Sequence, residues 1–273
     1  MKESHAQNAP AAKRVTSRIF EEIRLALGFL TILPVAPANT VCPQTVTASF
    51  RWFPLVGFVM GAVLCLEDFT VGLFLTRALR SAIVLMSLAI VTGAVHLDGL
   101  ADTADALGAG RNRARALEIL RDSRVGSFGA LALVFVTVLK ILALAELRGM
   151  PRYAALWLAP GLARWAMVAV AWRREYLRAQ GAGSVLLDPE NPSGLLVASF
   201  TAVVAVSLVA STRALLACVV AIAVAIALRA FYRRWLGGLT GDLIGAAGEI
   251  VEVCVLVAMA AYGPNAASLI WKG

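Results

Sequence analysis

Three carboxylates stand at i, i+4 and i+7 within His96-Leu97-Asp98-Gly99-Leu100-Ala101-Asp102-Thr103-Ala104-Asp105-Ala106-Leu107-Gly108. On a helix, Asp98, Asp102 and Asp105 fall within about 60° of one another, on a single face. Like charges so placed repel, and the segment borders an apolar run where a carboxylate is costly, so a compensating cation is expected. All-oxygen ligands favour magnesium, with manganese as a substitute, over zinc. Gly99, Ala101, Ala104 and Ala106 keep the adjoining surface low enough for a bulky ligand to approach. An aspartate of this face that is not committed to metal, Asp102 or Asp105, is placed to act as a general base. His96, just ahead of the face, either orients a phosphate or a water or sits satisfied at the membrane interface. Without metal, the same pattern is a solvated acidic helix end.

A basic and polar run follows, from Arg111 to Ser127, and includes Arg121-Asp122-Ser123-Arg124-Val125-Gly126-Ser127. Guanidiniums bind phosphate in bidentate fashion, and the Gly and Ser suit a helix N-terminus whose amides attract anions. Arg121, Arg124 and Ser127 are therefore expected to bind phosphate. Arg111, Arg113 and Arg115 read as topology-setting loop charge. Asp122 either completes the metal shell or pairs with Arg124. A third constellation, Gly237 to Glu252, places Asp242 and Glu249 seven apart on one helical face, with Glu252 deeper and glycines at 237, 238, 241, 245 and 248. Those glycines permit close approach of a ligand or a neighbouring helix. Lys140 and Arg164 lie inside apolar runs, where a charge faces a cavity or a partner. They either reach a substrate phosphate from below or pair with Glu146 and other acids.

The elements that must position these residues are transmembrane helices. Of 273 residues, 60% are apolar and 15% charged, and the mean hydropathy is +0.79. These values exclude the ordinary soluble classes. One all-α integral membrane domain is expected over residues 18 to 273, preceded by a flexible polar tail at 1 to 17. A helix from Arg18 to Leu33, its apolar positions Ile19, Phe20, Ile23, Leu27 and Leu30 at helical spacing and Glu21, Glu22 and Arg24 elsewhere on it, reads as interfacial or half-inserted, stopped by Pro34 and Pro37. Seven spans are expected at about 54 to 76, 81 to 101, 127 to 147, 153 to 172, 194 to 211, 214 to 230 and 249 to 263. Pro160 is placed to kink the fourth. Cys42, Cys65, Cys218 and Cys254 are far apart and read as free thiols. The segment Ile19 to Val35 lacks the pattern of a cleavable signal.

With the N-terminus inside, the inner loops and helix ends hold 17 Lys and Arg and the outer ones 6, the expected cytoplasmic bias. The net charge of +8 is thus explained by topology and not by a nucleic-acid partner. All three motif segments fall on the cytoplasmic side.

The segments His96 to Gly108, Arg121 to Leu131 and Gly238 to Glu252 resemble the signature segments of the cobalamin synthase (adenosylcobinamide-GDP ribazoletransferase) family. So do Leu27-Gly28-Phe29-Leu30-Thr31-Ile32-Leu33-Pro34 and Phe53-Pro54-Leu55-Val56-Gly57. The resemblance implies a magnesium-dependent enzyme of the bacterial inner membrane. Its reaction joins adenosylcobinamide-GDP to α-ribazole or its 5′-phosphate and expels GMP, late in vitamin B12 biosynthesis. It also leaves other corrin-pathway enzymes and further copies of the chain open as partners. On the residues alone, two other classes compete: a CDP-alcohol-type phosphotransferase, whose Asp-Gly and two-Asp spacing is not met by Asp98 to Asp122, and a cation-coupled transporter, which would carry its acids near the midplane.

Overall fold

The computed structural model describes residues 11–35, 42–110, 112–122, 124–173, 176–177 and 193–261. Residues 1–10, Pro37, Arg111, Ser123, most of the 173 to 193 loop and the end expected for the last span lie outside these. Of the described residues 83% are helical, and among them there is no strand, only an isolated bridge between Tyr176 and Leu239.

The helices are α1 (Ala11–Leu30), α2 (Pro43–Ser49), α3 (Phe53–Val71), α4 (Arg77–Val91), α5 (Val95–Leu107), α6 (Arg113–Ile119), α7 (Ser127–Glu146), α8 (Met150–Ala171), α9 (Ser193–Val209), α10 (Thr212–Trp235) and α11 (Gly241–Ala261). α1 starts before the expected Arg18, because Ala11, Ala12, Lys13 and Arg14 are all strong helix formers. It also buries Glu22, which the sequence placed on a polar face: Glu22 accepts hydrogen bonds from Arg51 (2.5 Å) and Trp52 (2.9 Å).

Among the described residues five helices are long and apolar enough to cross a bilayer: Pro43–Val71 taken as one, α7, α8, α10 and α11. The span expected over 81 to 101 is not one straight helix. It breaks after Val91 into α4 and α5, which meet at 91°; counted together they make a sixth crossing, and the shorter apolar α9 corresponds to the remaining expected one. The break arises because Gly93 (φ 61°) and Ala94 (φ 55°) both adopt the left-handed conformation that ends a right-handed helix. The amide of Ile32, just beyond α1, donates to the Val91 carbonyl and holds the break in place (2.8 Å).

Backbone-to-backbone packing sets the bundle. α3 crosses α8 at Gly57 and Gly61, where an added Cβ would lie 2.6 Å from the Pro160 carbonyl oxygen and 2.7 Å from the Trp157 Cα. No larger residue fits there. α8 and α11 are the most enclosed helices, packed through Leu158, Ala159, Leu162, Ala163, Val251 and Val255. One end of the bundle is marked by Arg152, which ties the start of α8 to Asp68 of α3, Ser81 of α4 and the Leu144 carbonyl of α7. Because α7 and α8 run in opposite directions, the start of α7 and the end of α8 lie at the other end, and α5 lies across that end.

Candidate active site

α5 brings the acid motif against both α11 and α7. At its start His96 is buried, its Nδ1 without a hydrogen-bond partner among the described residues. It packs on Gly245 of α11, where an added Cβ would come within 3.3 Å of the His96 Cα. One turn further, Gly99 rests on Asp242, and a side chain at 99 would meet its carbonyl oxygen at 2.8 Å. Two of the three sequence motifs therefore touch through glycines. Asp98 is exposed, while Asp102 and Asp242 are half-buried. The Thr240 hydroxyl accepts from the Leu243 amide in the first turn of α11 and donates to Asp242, both at 3.3 Å. Thr240 is thus a member of the site that the acid and glycine pattern did not single out.

Asp105 does something else. Its Oδ2 accepts from the Gly126 amide (2.7 Å) and its Oδ1 from the Gly129 amide (2.9 Å). It supplies from a distance the N-terminal cap that α7 lacks locally. The amides at the start of α7, expected to attract phosphate, are in part already satisfied by this carboxylate. Ser127 is the exposed first residue of that helix.

Before α7 the loop holds Arg121 and Arg124, both exposed. Of the two roles open to Asp122, the structure contains the pairing: its carboxylate receives the Arg124 Nη2 at 2.6 Å and Nε at 3.0 Å. The hydrogen bonds from Arg124 hold the Asp122 carboxyl well below its ordinary range, at about 2. Arg115, Glu118, Arg121, Asp122 and Arg124 line a polar depression of about 270 Å³. Arg113 lies apart from it, its guanidinium beside Gly237.

Lys140 and Arg164 are buried in ion pairs. Lys140 Nζ donates to Glu249 (2.5 Å) and Glu252 (2.8 Å), and Arg164 to the other oxygen of Glu252 (2.8 Å). Neither uses Glu146, and Glu249 is likewise engaged rather than turned toward the acid face. This network fastens α11 to α7 and α8 beneath the surface on which Asp242 and α5 meet. It borders a cavity of about 250 Å³ lined also by Thr92, Leu97 and Thr137.

Among the described residues no three His, Cys, Asp or Glu side chains converge as a metal-binding group. Magnesium, however, is commonly held by one or two carboxylates together with substrate phosphates and water. Asp98 and Asp102, one turn apart on α5, provide oxygen donors of that kind and number; Asp105 and Asp122 are occupied as described.

Comparison with known proteins follows the same segments. Residues 22–260 match the family model of cobalamin-5-phosphate synthase. Adenosylcobinamide-GDP ribazoletransferase of Syntrophobacter fumaroxidans is 40% identical over 238 residues, covering 86% of this chain and 96% of that protein. The protein of the same name from Roseiflexus sp. is 36% identical over 90% of this chain and 91% of its own length. That of Citrobacter koseri is 39% identical over 76% and 85%, respectively. No solved structure matches. A match that runs from α1 to the end of α11, through every motif gathered at this end of the bundle, places the chain in the cobalamin-5-phosphate synthase family.

Proposed function

We propose that the protein is an adenosylcobinamide-GDP ribazoletransferase, a phosphotransferase of the EC 2.7.8 class. On this reading it joins adenosylcobinamide-GDP to α-ribazole, or α-ribazole 5′-phosphate, and releases GMP. The observation that carries the reading is the contact of α5, which bears the acid face, with α11 through Gly99 and Asp242, at the end of the bundle that also carries the Arg121 and Arg124 loop. The relatives' shared name over most of their length supports it.

In the reaction, the ribose 3′ hydroxyl oxygen bonds to the phosphorus of the cobinamide phosphate. The bond from that phosphorus to the oxygen bridging it to GMP breaks, and GMP leaves with the electron pair. Magnesium at Asp98 and Asp102, when bound, supplies neutralisation of the diphosphate. Arg121 and Arg124 stabilise charge on the departing phosphate. For that task Arg124 exchanges Asp122 for substrate oxygens, a replacement of like by like. The hydroxyl proton passes to a carboxylate of α5. That carboxylate is Asp102 or Asp105, whichever is not committed to metal. Asp105, whose two oxygens accept the Gly126 and Gly129 amides, also positions the Arg124 loop. Asp242 and His96, where α11 and α5 meet, are assigned to substrate, while Lys140, Arg164 and Glu249 hold α11 beneath them.

The excess of Lys and Arg on the motif-bearing loops supports a cytoplasmic orientation for this end of the bundle, in a bacterial inner membrane. A cation-transport reading is less well supported, since the mid-bundle charges are paired with each other. Purified protein supplied with adenosylcobinamide-GDP and α-ribazole should release GMP only when magnesium or manganese is present. GMP release that needs no α-ribazole, or none under any metal, would refute the assignment.

A further inference from the structure

At the end of the bundle opposite the acid motifs, α3, α8, α9 and α10 line an open cleft of about 590 Å³. Its origin is in the packing. Gly57 and Gly61 draw α3 tightly onto α8, and Trp157 of that contact forms a wall. α9 is fastened to α8 further along, by the Trp165 indole donating to Ser199 (3.1 Å). The tight turn at Ala210 and Ser211 then leads into α10 without closing the gap. Cys65, Met150, Tyr153, Leu208 and Val209 complete a lining that is mostly apolar.

A cleft with so apolar a lining offers water few of the hydrogen bonds it needs. The occupant suited to it is hydrocarbon. The one charge on the rim is Arg213, which has no carboxylate partner among the described residues. It stands in the first turn of α10, the positive end of that helix, where a cation is unfavourable and an anion favoured. An apolar cleft capped by an unpaired, unfavourably placed cation is complementary to a negatively charged amphiphile. We propose that this cleft binds an anionic phospholipid, with an acyl chain along Trp157 and Leu208 and the phosphate at Arg213 and the start of α10.

Trp157 provides the readout. In vesicles containing phospholipids brominated along the acyl chain, its emission is isolated as the difference between the parent protein and Trp157→Phe. Brominated phosphatidylglycerol should quench it at about fivefold lower mole fraction than brominated phosphatidylcholine of the same chains, the scale of one basic side chain at a lipid surface. Arg213→Gln should abolish that preference while both lipids still quench, and Ala62→Leu, which narrows the cleft, should weaken quenching by both. Absence of quenching by either lipid would show that acyl chains do not enter. Equal quenching by the two in the parent protein would leave only ordinary boundary lipid, and either result overturns the proposal.

Discussion

The two ends of the bundle use the same side chains in opposite ways. Arg152 is fully buried, and each of its nitrogens finds an acceptor: Asp68 at 2.5 to 3.0 Å, Ser81 at 3.0 Å and the Leu144 carbonyl at 2.5 Å. Arg124 is 88% exposed and pairs only with a neighbour two residues away. A guanidinium with every nitrogen engaged inside a helix bundle fixes the fold, and withdrawing a partner leaves a buried charge uncompensated. One held on a loop by a sequence neighbour can exchange that partner for a phosphate at little cost, because solvent and substrate both offer acceptors. The acids divide in the same manner: Asp68 is buried and satisfied, Asp98 is exposed.

The comparison breaks first at Arg152. Arg152→Ala should cost about 3–5 kcal/mol, the scale of one partner removed from a buried pair, and little folded protein should be recovered in detergent, as judged by size-exclusion chromatography. Normal yield and thermal stability would mean that this end does not hold the bundle together. The second test lies at the other end. Asp98→Asn and Asp102→Asn should each leave the protein folded, since removing one of several like charges relieves repulsion, yet abolish GMP release or raise its magnesium requirement. Normal turnover with normal metal dependence in both would reduce the α5 face to a solvated surface.

A smaller effect is expected at Arg124, and it separates two arginines that composition alone cannot. Arg124→Ala should slow GMP release by about 10²-fold, the scale of a lost electrostatic contact in the transition state, with less change in substrate affinity. Arg113→Ala, beside Gly237 and outside the polar depression, should change it little. Equal rates for the two variants would return Arg124 to the topology signal.

These contrasts mark what the sequence made legible. The spans were readable because hydrocarbon demands long apolar runs, and the acid face because a 3.6-residue period puts i, i+4 and i+7 together. The break at Gly93 and Ala94 was not, because Ile90, Val91 and Val95 continue the apolar pattern straight through a backbone reversal. Arg152 read as a loop charge because its partner is 84 residues away. A lone Asp68 inside an apolar run carries the signal that a buried cation must meet it. Asp105 shared a face with Asp98 and Asp102, but periodicity gives a direction and not a partner, and the partner proved to be the start of α7. Lys140 and Arg164 were legible as charges needing company; which company depended on how α11 docks, set by Gly99 and Gly245.

The finest test concerns Asp122, which the sequence left between metal ligand and arginine partner. If it holds Arg124 between turnovers, the Asp122→Asn variant should release the guanidinium to the substrate. KM for adenosylcobinamide-GDP should then fall by about two- to fivefold, the scale of an exposed ion pair, with kcat and magnesium requirement unchanged. The pH dependence adds a check of sign. A carboxyl whose folded pKa is lowered contributes stability above its unfolded pKa and loses it only as pH falls through the folded value, here about 2. Asp122 therefore stays ionised across the working range, and the substitution should leave the shape of the pH–rate profile between about pH 5 and 8 as it was. A raised magnesium requirement in Asp122→Asn would instead make Asp122 a ligand, and the exposed pair with Arg124 would be the resting arrangement of a metal site.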